Sequence, residues 1–178
     1  MNRIPKMRAF LETRVSELLN ERLRVIEEAL LKNRRYIWDR IEEVLSAQFN
    51  FIHSHQEYEK LTISYLRSSY ITGNHIFLVT CQKEILFLEE EPPEEELDLS
   101  ELFTEIDQDI ERLGAELDQE FIRVSEGEKE SVRRWYMELL YAHLGEVLKA
   151  AIQKKGYLTE VPLLYGGYME EQKQIGWI

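Results

Sequence analysis

The sequence predicts an α+β fold, and three observations lead there. Residues 61–91, LTISYLRSSYITGNHIFLVTCQKEILFLEEE, are rich in β-branched and aromatic residues and are divided by turn signals. The segments on both sides repeat apolar residues at helical spacing against a charged background. The chain has 178 residues, a length for one domain over 1–178, and such a chain buries roughly 70% of the surface its unfolded form exposes.

The first element is helical and covers 6–52. Pro5 suits the first turn of a helix, and no Gly or Pro follows until Gly73. Met7, Leu11, Val15, Leu18, Leu19, Leu23, Ile26 and Leu30 form one apolar stripe. Ile37, Ile41, Val44, Leu45, Phe49 and Ile52 continue it in phase. Two arrangements fit: one long helix, or a helical hairpin turning near Lys32–Arg35. A pattern of this length without caps points to a bundle or coiled coil. Arg8, Arg14, Arg22, Arg24, Arg34, Arg35 and Arg40 have acidic neighbours and read as a solvated, salt-bridged face.

The β segment reads as a meander over 61–89, an antiparallel sheet of about three strands at 61–71, 75–81 and 84–89. Gly73 and Asn74 supply the first turn, and Gln82–Lys83 the second. Apolar residues on both faces of the third strand imply that helices cover much of the sheet. Residues 89–98, interrupted by Pro92–Pro93, read as an acidic linker kept soluble by repulsion.

Two further helices follow, at 99–122 and 126–155. Asp98 with Glu101, and Ser125 with Glu128, have the spacing of capping boxes. Leu102, Ile106, Ile110, Leu113, Leu117 and Phe121 make the first stripe. Gly114 costs up to ~1 kcal/mol inside that helix, which suggests close packing there. Val132, Trp135, Tyr136, Leu139, Leu140, His143, Val147, Leu148 and Ile152 make the second, and Gly156 suits a C-terminal cap. The tail 157–178 is too apolar for disorder and reads as extended segments that cover the core or add to the sheet.

The net charge of −12 is concentrated. Residues 84–130 hold 19 acidic and 3 basic side chains, while 1–60 and 131–178 are each net +1. Such a face repels nucleic acid and tolerates a basic partner. No apolar run approaches the ~20 residues of a membrane span, and the start MNRIPKMRAFLETR turns charged too early for a secretory signal. A cytoplasmic location without membrane contact is expected. Cys81 is the only cysteine and lies in the apolar run HIFLVTC, so it reads as a small buried hydrophobe.

Two sets of side chains invite a site. His53, His55, Glu57 and Glu59 alternate, so an extended backbone would project all four from one face, as imidazole and carboxylate ligands for Zn²⁺ or another transition metal. Tyr65, Arg67 and Ser69 belong to the most polar strand and would line a ligand or partner groove. His75 reads as the start of a strand, and His143 as a hydrogen-bonded core or interface residue. The sequence has no GxSxG, phosphate-cradling loop or dinucleotide fingerprint, so it calls for no catalytic residue and no cofactor.

The resulting expectation is a soluble, non-catalytic interaction or scaffold protein with a protein partner or a homo-oligomeric state. The alternatives are a metal-dependent enzyme using His53 and His55, and an acidic nucleic-acid mimic. The runs Ile63-Ser64-Tyr65-Leu66-Arg67-Ser68-Ser69 and Tyr165-Gly166-Gly167-Tyr168-Met169 resemble segments of small uncharacterised bacterial proteins, some labelled normocyte-binding. The shared order is helix, β hairpin, helix pair and short tail. The resemblance implies no activity and transfers no functional residue.

Overall fold

The structure, a computed structural model, describes residues 3–33, 35–55, 57–83, 93–155, 161–168 and 170–177. The chain runs through α1 (Arg3–Glu28), a π-helical turn (Ala29–Asn33), α2 (Arg35–Ser54), β1 (Tyr58–Tyr65) and the one-turn α3 (Ser69–Thr72). It continues through β2 (Ile76–Lys83), β3 (Glu94–Asp98), a 3-10 turn (Ser100–Phe103), α4 (Ile106–Glu120), α5 (Glu126–Lys155), β4 (Pro162–Gly167) and β5 (Lys173–Trp177). The fold is α+β.

The sheet has five strands in the order β3-β2-β1-β4-β5. β1 pairs antiparallel with β2 and parallel with β4; β2–β3 and β4–β5 are antiparallel. The expected three-stranded antiparallel sheet is therefore corrected to a mixed five-stranded one. The tail supplies β4 and β5, and β4 enters beside the central strand. The register puts Leu61, Ile63 and Tyr65 opposite Cys81, Val79 and Phe77, with Leu163 and Tyr165 beside Leu61 and Ile63. Side chains of paired residues share a face, so this row makes one apolar face. Thr62, Ser64 and Thr80 lie on the other.

The apolar face meets α2 and α5. Cys81 reaches Gln48 of α2, and the Tyr165 ring lies against Gly145 of α5. A Cβ at Gly145 would stand 2.6 Å from Tyr165 Cδ1, so glycine is what lets the ring reach the helix backbone. Tyr165 O–H then donates to the Tyr141 carbonyl at 2.7 Å. The core is continuous from Met7 and Leu11 through Tyr136, Leu140 and Leu144 to Leu163 and Ile175.

The N-terminal helical stretch is interrupted once and does not fold back as a hairpin. α1 packs on α5 and α4, whereas α2 packs on β1, β2 and β3. The π turn joins these two jobs, and Trp38 Nε1–H donates to the Leu30 carbonyl across it. Arg14 pairs with Glu116 and Arg22 with Asp109, so α1 and α4 run antiparallel.

Several local boundaries shift. β1 begins at Tyr58 and ends at Tyr65; its expected continuation becomes a turn and α3, closed by Gly73 at φ 66° with its N–H on the Ser69 carbonyl. Gln82–Lys83 is not a turn, because both residues pair with β1. The expected third strand at 84–89 lies outside the described residues, as do 90–92 of the expected linker and Gly156. Within that linker, Glu94–Asp98 is strand β3: pairing with β2 satisfies the side of its backbone that faces β2 and buries Leu97, which outweighs repulsion between exposed glutamates. The Asp98–Glu101 capping box does not form. Asp98 instead accepts from the Ser100 N–H at 2.9 Å ahead of the 3-10 turn, and α4 starts only at Ile106. The Ser125–Glu128 box forms in full, with Ser125 N–H to Glu128 at 2.8 Å and Glu128 N–H to Ser125 Oγ at 3.2 Å. Gly114 meets only Lys129 Cδ at 3.9 Å, an ordinary contact, so close packing does not explain it.

Candidate functional site

The four candidate metal ligands do not converge. His53 is in the last turn of α2, exposed, with its ring 4.3 Å from that of Phe49. His55 stacks on Phe51 at 4.1 Å and holds the Phe51 carbonyl through Nδ1 at 3.0 Å. Glu57 faces Lys83 at 3.7 Å, and Glu59 is exposed in β1. The alternation would align them only on a continuous extended backbone, and the helix runs through Ser54. Among the described residues, no three His, Cys, Asp or Glu side chains are grouped to hold a metal ion.

Tyr65, Arg67 and Ser69 are also separated. Tyr65 is half-buried and stacks on Tyr141, with centroids 5.1 Å apart and planes at 9°. Arg67 is exposed and binds Glu170 at 2.5 Å. Ser69 is buried at the start of α3. They hold the β1–α3 corner to α5 and the β4–β5 turn rather than lining a strand face together.

That corner contains a polar chain that the sequence does not reveal. Ser69 hydrogen-bonds the Tyr141 hydroxyl, which lies 2.7 Å from His75 Nδ1. The His75 ring stacks on Phe103 at 4.2 Å. Burial drives the His75 pKa below its ordinary value, against the opposing pull of Asp107 and Asp98. Burial likewise raises the Tyr141 pKa. The arrangement fits a neutral imidazole protonated at Nε2, with Tyr141 donating to Nδ1 and Ser69 donating to Tyr141. His75 and Ser69 are 8% and 3% exposed, so the chain ties α3, β2 and α5 together inside the protein.

A second buried network joins the three helices α1, α4 and α5. Arg22 grips Asp109 through Nε at 2.8 Å and Nη2 at 2.9 Å, and also contacts Glu105. Tyr136 O–H donates to Asp109 at 2.7 Å. Arg22 and Asp109 are each 7% exposed, which corrects the reading of Arg22 as part of a solvated face. The signal was present: Leu18–Arg22–Ile26 and Ile106–Asp109–Leu113 place each charge on a buried stripe, where a local salt bridge would not reach. His143 shows the reverse. It is exposed and holds the Leu139 carbonyl through Nδ1, while Leu140, Tyr141 and Leu144 take the core face. Cys81 is buried with its S–H donating to Gln48 Oε1 at 2.9 Å; burial raises its pKa to about 11 and keeps it a protonated thiol.

Concave surface occurs on the helices. One cleft between α4 and α5, about 420 Å³, is lined by Leu113, Gly114, Leu117, Lys129 and Arg133, with Lys129 held by Asp118 at 2.7 Å. A second is a groove of about 360 Å³ where the first turns of α1 meet the first turns of α5. Ile4, Met7, Leu11 and Trp135 form its apolar surface, with Arg8 and Glu128 at the rim. Ile4 is 74% exposed, and Ile122, in the turn before α5, is 85% exposed. Phe121 in the same turn stacks edge-on against Phe10 of α1, at 5.6 Å. The groove and both isoleucines thus sit at one end of the helix group, away from the half of α5 that packs on the sheet.

No helix among the described residues is long and apolar enough to cross a membrane. No family model, curated protein or solved structure matches this chain significantly.

Proposed function

We propose that this protein is a non-catalytic interaction protein that engages a protein partner through the α1–α5 end of its helix group. The observation that carries the reading is the apolar groove formed by Ile4, Met7, Leu11 and Trp135. An isoleucine 74% exposed on its wall is surface that a partner would bury. Grooves between helices of this kind take apolar anchors from a helix or turn, and the charged rim sets orientation. The polar groups with perturbed titration support the same reading from the other side. His75, Tyr141 and Tyr136 are closed into internal hydrogen bonds.

The test is affinity capture at low and high salt with the wild-type chain and with Ile4→Glu. A charge on the groove wall abolishes capture of a groove partner, and capture through apolar contact survives high salt. Capture that is indifferent to Ile4→Glu, or that vanishes in salt for both proteins, would sink the reading.

A further inference from the structure

We propose that the occupant of this groove is a second copy of the same chain, related by a two-fold axis, with Ile122 of each copy seated in the groove of the other. The inference rests on the interaction reading above and names its partner.

Shape supplies the first argument. A two-fold contact uses one surface patch twice, so that patch must carry both a projection and its receptor. The α1–α5 end has both. Ile122 projects from a short turn, 85% exposed. The turn is anchored by the Phe121–Phe10 contact, and its backbone doubles back through Arg123, in the left-handed region at φ 59°. The projection is therefore pre-organised and loses little freedom on docking. The groove lies on the neighbouring surface, between α1 and α5.

Charge supplies the second. At −12 overall, two copies repel each other over most of their surfaces. The exposed glutamates Glu94, Glu95 and Glu96 on the β3 edge would be forced together by pairing there. The α1–α5 end is different because it carries exposed charges of both signs. Lys6 and Arg8 project from the start of α1, and Glu126 and Glu130 from the start of α5, all exposed. A two-fold axis that puts Ile122 into the opposite groove brings the start of α5 in one copy to the start of α1 in the other, twice. The Arg8–Glu12 pair within each chain is no obstacle, since their side chains are 81% and 52% exposed and such pairs exchange partners at little cost.

Sedimentation equilibrium on the purified full chain, from about 1 to about 100 µM, tests this. The wild type should show the mass of two chains at the upper concentrations. Ile122→Glu should weaken the dimer at least about a hundredfold, because two isoleucines lose their pockets together. Arg8→Glu should weaken it as well, and adding Glu126→Arg and Glu130→Arg to Arg8→Glu should restore it. All these positions are exposed, and unchanged thermal unfolding at low concentration confirms that each variant folds. A wild type that stays monomeric at about 100 µM overturns the proposal. So does a dimer indifferent to both Ile122→Glu and Arg8→Glu. If the chain is monomeric yet still captures another protein in an Ile4-dependent way, self-association falls and the interaction reading stands.

Discussion

Removing the Asp109 carboxylate tests the buried network most directly. Arg22 and Asp109 are both 7% exposed, and their bidentate contact is seconded by Tyr136. Asp109→Ala leaves a guanidinium that cannot deprotonate inside the helix group. Breaking one side of such a pair costs about 3–5 kcal/mol. The Tyr136 hydroxyl loses its acceptor in the same step, a penalty of about 1–3 kcal/mol that overlaps the first rather than adding to it. Glu105 still touches Arg22 but is 54% exposed, so it offsets only part of the loss. An expected loss of about 3–5 kcal/mol is a large share of the about 5–15 kcal/mol that holds a domain together. At about 2–4 °C per kcal/mol for a chain of this size, Tm falls by about 6–20 °C. Urea unfolding should show a lower midpoint with an unchanged slope. Arg22→Met combined with Asp109→Leu should recover part of the loss, because no unpaired charge remains, and adding Tyr136→Phe should recover most of the rest by removing the hydroxyl that has lost its acceptor. A cost below about 1 kcal/mol for Asp109→Ala, or a double variant as unstable as the single, would refute the reasoning.

Three further outcomes are expected. Gly145→Ala should destabilise by about 1–3 kcal/mol because the new methyl meets the Tyr165 ring, whereas Gly114→Ala should stabilise by up to about 1 kcal/mol, having only a contact at 3.9 Å; thermal melts of the two should move in opposite directions. His75 has a folded pKa below its ordinary 6.5, so the unfolded chain takes up the proton first; stability is complete above that value and declines as pH falls from it through the folded pKa, and His75→Phe should flatten this limb in melts across pH 4–8. Ser125→Ala removes the box at the start of α5 and should cost about 1 kcal/mol, with Glu128→Ala in the same background adding little because the two residues act as a unit, as chemical denaturation of both would show.

What was legible was local. The helical stripes from Met7 to Ile52 and from Val132 to Ile152 require only the 3.6-residue period, and the Ser125–Glu128 box only a three-residue spacing, so the helical character of these segments and the start of α5 at Glu126 follow from the sequence, whereas the π turn at Ala29–Asn33 and the late start of α4 at Ile106 do not. β2 is legible because Ile76–Cys81 is an unbroken run of apolar and strand-favouring residues behind the Gly73–Asn74 turn. The candidate sites depend on the same local rules, which is why their residues lie apart in the fold. The His53–Glu59 alternation assumed one backbone conformation across a helix end, and Tyr65, Arg67 and Ser69 assumed a strand that stops at Tyr65.

Features that depend on distant partners come from packing. Glu94–Asp98 is a strand because β2 offers an edge, although repulsion alone would keep it extended and solvated. β4 lies parallel to β1 because α5 returns the tail to the centre of the sheet, a pairing across about a hundred residues that no local pattern encodes. The apolar stripes place Arg22 and Asp109 on buried faces, but that the two meet and neutralise each other follows only from the packing of α1 on α4. The groove at the α1–α5 end exists only once residues 4–11 and 128–135 are packed side by side. Periodicity and capping energies act within a few residues and are therefore written in the sequence, whereas strand order, charge burial and concavity are set by which surfaces meet.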